Sequence, residues 1–258
     1  MTDEAALLAQ LPAWAFGFVL VLCRAGCACM LLPGVGEAEV PMLPRAGFAL
    51  TLTLALLPPL QNGLPAAPPD VWQDMAMLGA EIATGLFLGW LARLVLLALP
   101  LAGQFIATLT GQSSVLQPDP GQGGQGTALG RLFGLAGTVL MLTTGLHALP
   151  LTALAGSYRV IPAGSLLPPG DTAQTVVAGL AAMFALALRL AAPFVLAAIV
   201  WNIALALVSR LVPQLQVFFL AAPAQLLGGL ALLGLLAAAL LQVWQDAAGA
   251  ALGALPGL

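Results

Sequence analysis

The chain has 258 residues, 61% of them hydrophobic and 7% charged, and a net charge of −3. Soluble domains carry roughly 25% charged residues, so this chain cannot coat a water-facing surface; it reads as an integral membrane protein or a subunit buried among others like it. All seven basic residues are arginines scattered singly, which excludes the basic patch of a nucleic-acid binder.

The N-terminus, MTDEAALLAQ, starts acidic and lacks the positive region of a cleavable signal, so the first apolar segment is expected to stay in the mature protein. A membrane helix needs about 20 largely apolar residues, and by that rule six segments follow: about 11–32, 42–60, 75–107, 128–156, 173–210 and 215–244. The breaks between them are PGVGEAEVP, QNGLPAAPPDVWQD, GQSSVLQPDPGQGGQG, YRVIPAGSLLPPGD and RLVPQLQ. The third and fifth segments are over-long for a bilayer, with Pro100 and Pro193 expected to kink them. Such helices suit packing against protein better than a simple up-and-down bundle in lipid. Gly85 and Gly89, and Gly130 and Gly134, put glycine pairs on one helix face and permit close backbone approach. In a six-span topology Arg45, Arg131 and Arg210 fall on one side and Arg159 on the other, which favours an extracytoplasmic N-terminus.

Chemistry is sparse. Cys23, Cys27 and Cys29 all lie in the first segment, with no second Cys/His cluster to complete a metal or redox site, and they read as small residues at a helix contact. Ionisable groups inside apolar segments are costly and need a reason; here they are Arg24, Glu81, Arg93 and Arg189. Glu81 and Arg93 stand twelve residues apart in one segment, too far to pair, so each expects a partner on another segment or another subunit. Either a polar pathway or lock, or an ordinary buried pair that fixes helix register, accounts for them. His147 is the single histidine, without an acid, nucleophile or second ligand near it in sequence. Ser113, Ser114 and Ser157 lack a nucleophile elbow. The glycines of 121–126 have no lysine after them and no strand before them, so a phosphate loop is not credible. No enzyme site, cofactor site or metal site emerges.

The run WNIALALVSRLVPQLQVFFLAAP, Trp201 to Pro223, resembles a stretch of the FliR/SctT family of type III secretion export-gate proteins, through Asn202, Leu205, Arg210, Pro213, Gln214, Leu215, Val217, Phe218 and Pro223. Further matches follow along the chain: Pro33, Pro41, Arg45 and Gly47; Glu81, Ile82, Gly85 and Gly89; Gly103, Gln104, Phe105, Gly111, Asp119 and Pro120; and His147, Ser157, Tyr158, Pro162 and Gly164. The chain departs from the family in the glycine-rich GQGGQG and in Ala222, where flagellar members favour glycine before Pro223. Asn202 rather than aspartate points to the flagellar branch over the virulence branch.

The resemblance implies an all-α export-gate subunit of the bacterial inner membrane and flagellar basal body, with long kinked helices. It implies a FliP-like helical part over 1–170 and a FliQ-like helical hairpin over 171–258. FliP-type and FliQ-type subunits, a FlhB-type switch protein and a FlhA-type export protein are the implied partners, and unfolded flagellar proteins the cargo. It makes the Gly/Gln-rich loop 111–126 a plug in the pore, carried by Gly111, Gln112, Asp119, Pro120, Gly121, Gly123, Gly124 and Gly126. Irregular backbone at membrane depth is tolerated where protein or a water-filled cavity surrounds it; a mobile solvent loop is the plainer reading of the same composition. Arg210, Pro213 and Gln214 are expected to shape the turn where the switch protein docks, and Glu81, Arg93, His147 and Arg189 to make buried polar contacts. The equivalent injectisome subunit and a secondary transporter of small solutes are the alternatives.

Overall fold

The computed structural model describes residues 2–37, 39–112, 116–119, 124–211 and 217–258. Its helices are α1 (Thr2–Leu31), α2 (Met42–Leu60), α3 (Val71–Leu109), α4 (Ala128–Thr143), α5 (Ala148–Val160), α6 (Pro169–Leu211) and α7 (Val217–Gly253), with a short 3-10 turn at Gln61–Gly63. Between α3 and α4 lie two short strands, β1 (Leu116–Asp119) and β2 (Gly124–Thr127). Among the described residues five helices are long and apolar enough to cross a membrane, making six spans if α4 and α5 together count as one broken span. The expected all-α membrane protein is therefore what the chain forms, with one hairpin added.

Local chemistry sets the helix ends. Asp70 Oδ1 accepts the N–H of Trp72 at 3.2 Å, the N-cap arrangement that starts α3. At its other end Gly111 takes φ +78°. The Gln112 N–H reaches the Ala107 carbonyl at 2.8 Å, and the Gly111 N–H the Thr108 carbonyl at 3.4 Å. These two bonds make a Schellman C-cap, which glycine's tolerance of positive φ permits. Thr127 Oγ1 accepts the Gly130 N–H at 3.0 Å and caps the start of α4.

Two expectations change. The segment read as continuous over 128–156 breaks at residues 144–147, where Gly145 sits at φ +78°, a conformation that ends a right-handed helix. The stretch 111–126 is not irregular throughout: Leu116 pairs with Thr127, Gln117 with Gly126, Pro118 with Gln125 and Asp119 with Gly124 in an antiparallel ladder. By contrast α3 and α6 run unbroken past Pro100 and Pro193. At 39 and 43 residues they extend roughly 58 and 64 Å at the ideal rise, about twice the hydrocarbon core.

The chain divides into two compact units, the first made of Met1–Arg93, Thr144–Gly179 and Ala251–Leu258, the second of Leu94–Thr143 and Leu180–Ala250. In the first, α1 buries Leu20, Val21, Ala25, Ala28 and Cys29, and α3 buries Ala80, Leu88 and Ala92. The two backbones approach closely at Gly85 and Gly89: a Cβ on Gly85 would collide with the Arg24 carbonyl, and one on Gly89 would stand 2.8 Å from the Ala28 carbonyl oxygen. In the second unit α3 buries Leu96, Leu99, Ala102 and Ile106, and Trp244 of α7 is fully enclosed, its indole N–H donating to the Val95 carbonyl at 3.1 Å. Gly103 and Gly130 bring α3 and α4 together so tightly that a Cβ on Gly103 would lie 2.8 Å from the Gly130 Cα.

Burial is uneven. In α3, 56% of the most apolar stretch is buried within the chain, against 11% in each of α2, α6 and α7. Leu196, Val200 and Ile203 of α6 and Leu227 and Leu235 of α7 are more than half exposed. Glycines therefore divide by position. Gly85→Ala places its methyl against backbone, where overpacking costs about 1–3 kcal/mol or more, and should lower the thermal midpoint of the detergent-solubilised protein. Gly79→Ala, six residues earlier on the same helix and exposed, with nothing within 4 Å of the added carbon, should leave it unchanged or raise it.

Candidate functional site

Three polar centres stand out in this apolar chain. The first is in the first unit and is built on Arg24 of α1. Its Nε donates to Glu81 Oε2 at 2.8 Å and its Nη2 to Glu81 Oε1 at 2.9 Å, a two-pronged pair between α1 and α3. Nη1 donates to Ser157 Oγ at 3.1 Å and to the Ile161 carbonyl at 3.0 Å. The Gly164 N–H adds a bond to Glu81 Oε1 at 2.7 Å. The ring of Tyr158, the chain's single tyrosine, lies 4.0 Å from the guanidinium carbon, within cation–π reach. Arg24, Glu81 and Ser157 are all 0% exposed. The guanidinium fork matches the carboxylate geometry, so one ion pair ties α1, α3, α5 and the turn after α5 together. Ser157 donates its hydroxyl proton to the Leu154 carbonyl at 2.7 Å. Both charged groups here, Arg24 and Glu81, are committed to partners, which suits a lock.

The second centre holds the α1–α2 connection. Arg93 Nη1 donates to the Gly36 carbonyl at 3.1 Å and to the Leu31 carbonyl at 3.5 Å, while Nη2 reaches Glu37 Oε2 at 3.4 Å. Arg45 Nη2 donates to the Glu37 carbonyl at 2.7 Å and to the Val40 carbonyl at 3.1 Å. Two arginines thus satisfy carbonyls at and beyond the end of α1 that the helix itself cannot.

The third centre is the base of the hairpin, in the second unit. On the incoming side, Gln225 Nε2 of α7 donates to the Leu109 carbonyl at 3.0 Å, and Gln112 Nε2 to Thr110 Oγ1 at 3.1 Å. Thr110 also meets α7 at Gly229, where a Cβ would stand 2.5 Å from the Thr110 Cβ. On the outgoing side stand the Thr127 cap and the Gly103–Gly130 contact.

The sequence expectations divide accordingly. Glu81 and Arg93 each have a partner on another segment, as expected of two groups too far apart to pair. Gly111, Gln112 and Gly126 lie at the hairpin, and Asp119 and Gly124 are paired in its ladder. Pro120, Gly121, Gly123, Pro213 and Gln214 lie outside the described residues. His147 is half-buried at the residue before α5, with no side-chain cap bond to it. Arg189 is not buried within this chain: it is exposed on α6, and Arg210 is exposed in that helix's last turn. An apolar neighbourhood in sequence gave no measure of which face of α6 the chain itself covers. Among the described residues no group of three metal-ligating side chains occurs.

The family described as bacterial export proteins, family 1, matches residues 15–251, a span that encloses all three centres. The chain belongs to this family of bacterial export proteins. It is 34% identical over 227 residues to the flagellar biosynthetic protein FliR of Caulobacter vibrioides, covering 88% of this chain and 90% of that one. With the protein of the same name from Bacillus subtilis it shares 30% identity over 212 residues, 80% of each chain. With the Yop proteins translocation protein T of Yersinia pestis it shares 28% over 209 residues, again 80% of each. As a member of the export family with these apolar helices, it is a helical membrane protein.

Sequence reading flagged Arg24 and Glu81 separately as charges in apolar segments but did not join them, and it passed over Gln225. The pair supplies a direct test. Glu81→Gln strands a fully buried guanidinium without its counter-charge, a loss of about 3–5 kcal/mol, and should sharply reduce the folded protein recovered in detergent. Arg24→Met combined with Glu81→Met should recover much of that loss. A thermal-unfolding cycle through Arg24→Met, Glu81→Met and the double variant measures it, and additive losses would contradict the lock.

Proposed function

We propose that the chain is the FliR-type subunit of a flagellar type III protein export gate, acting without enzymatic chemistry in the bacterial inner membrane at the flagellar basal body. The observation that carries this reading is the state of α6 and α7: helices of 43 and 37 residues, apolar along their length, with 11% of their most apolar stretches buried within the chain. Helices longer than a bilayer is thick need neighbours of protein as well as lipid. FliP-type and FliQ-type subunits are those neighbours, with residues 171–258 as the FliQ-like hairpin and 1–170 as the FliP-like part. A FlhB-type switch protein docks at the turn holding Arg210, Pro213 and Gln214, and a FlhA-type protein delivers unfolded flagellar proteins to the channel.

In this reading the segment 111–126 is the plug. Its feet are fixed by the α3 C-cap and the α4 N-cap, and between them runs a composition of glycine, glutamine and proline that disfavours helix. Such a segment seals by many weak contacts and yields to a passing chain. The similarity to the Yersinia Yop translocation protein T keeps an injectisome gate as the second reading.

Deleting residues 112–125 in frame should leave the subunit in the membrane and its complex intact while making cells leak ions at rest. Ion flux measured in cells or in vesicles reads this directly, and unchanged conductance would remove the plug role.

A further inference from the structure

From Val176 to Val200 on α6 every side chain is apolar except one, Arg189. Thirteen residues of that stretch precede it and eleven follow, so at the ideal rise Arg189 lies roughly 20 and 17 Å from the two ends. A hydrocarbon core of ~30 Å laid over the stretch has the guanidinium near its middle, away from the headgroups to which arginine ordinarily snorkels. The nearest polar side chains along the helix are Thr175 and Trp201. The charge is open: Arg189 is exposed, and among the described residues it makes neither a hydrogen bond nor an ion pair. Arg24 and Arg93, by contrast, each pair with a carboxylate on another segment. On the same side of α6, at i−7, i−4, i+3 and i+7, stand Ala182, Ala185, Ala192 and Leu196, all exposed. Ala187, Leu190, Ala191 and Phe194 are buried inside the chain. Three alanines around the arginine let the backbone of a second helix come close, within reach of a short acidic side chain. Acyl chains offer no acceptor, and a charge at such a depth is costly until it meets one.

We propose that the face of α6 running from Ala182 through Arg189 to Leu196 is a docking surface for an apolar helix of a neighbouring subunit, one that carries an aspartate or glutamate inside its apolar stretch and pairs it with Arg189. The guanidinium fork takes a carboxylate with two parallel bonds. That pair sets the height of the neighbour along α6, which alanine and leucine packing leaves free to slide. The inference rests on the export-gate reading for the kind of subunit that docks, and on the place and exposure of Arg189 for the docking itself.

The test uses the full chain in native membranes, with a photo-reactive side chain at Ala185 on this face or at Phe184, which is exposed on another side of α6. Cross-linked peptides are read by mass spectrometry. The Ala185 probe should capture a neighbour's apolar helix that contains an aspartate or glutamate, and the Phe184 probe should not capture that helix. Arg189→Met should lower recovery of that neighbour in mild detergent by at least about tenfold, as removal of one member of an enclosed charge pair does. Abundance of the chain itself should stay the same, since Arg189 is exposed. Arg189→Glu should bind no better than Arg189→Met, and changing the neighbour's acid to arginine should recover binding to Arg189→Glu. Lipid alone at the Ala185 probe, with the complex intact in Arg189→Met, assigns the face to the bilayer and overturns the proposal. A captured helix without an acid, or a reversed pair that recovers nothing, overturns the pairing. The identity of the captured chain bears on the gate reading separately. An acidic helix from a chain of neither FliP nor FliQ type, with no such chain in the complex, overturns that reading and leaves the docking surface standing. FliP-type and FliQ-type chains captured only at Phe184 leave the gate standing and overturn the docking surface.

Discussion

A fully buried guanidinium must have its charge and its donors answered by protein, and in the first unit this requirement organises the packing. Arg24 reaches its carboxylate on α3 because the α1 and α3 backbones come close enough at Gly85 for a side chain on one helix to lie along the other. The same guanidinium reaches Ser157 and Ile161, so the last turn of α5 and its C-cap are registered to that pair. An apolar interface of leucines and alanines slides with little penalty; a two-pronged ion pair closed by Gly164 and Tyr158 does not. The pair thus supplies register where hydrophobic packing among small side chains supplies little, the best-attested use of a buried polar group.

The rest of the molecule is organised by what the chain leaves uncovered. α3 is mostly enclosed while α2, α6 and α7 present most of their apolar length outward. Exposed apolar surface on this scale in water would aggregate, and in a bilayer alone it would exceed the thickness available to α6. Arg189 and Arg210 are exposed on α6. Within the second unit, the hairpin between α3 and α4 stands on two capped helix ends.

Much of this was legible in the residues. The long segments of α3 and α6 were evident because they stay apolar around the isolated charges Glu81, Arg93 and Arg189, and a proline in such a run did not end either helix. The limits of α2 followed from Pro41 and the QNG turn. The break at 144–147 was hidden, since MLTTGLHALP carries no charge and little polarity, and the positive φ of Gly145 is a property of the fold rather than of composition. The hairpin was hidden for the opposite reason. Glycine and proline argue against strand, yet residues 116–119 and 124–127 pair because their ends are brought together by α3 and α4. The pairing of Arg24 with Glu81 spans 57 residues, a distance over which spacing carries no information. Gln225 left no trace at all, being one glutamine in an alanine- and leucine-rich helix.

The central claim is that this chain is one subunit of a larger export gate. Affinity purification from native membranes in mild detergent, followed by mass spectrometry of what accompanies it, tests that most directly. The account predicts a large complex containing FliP-type and FliQ-type chains, with α6 and α7 covered. A monodisperse single protein, stable with both helices bare, would contradict it.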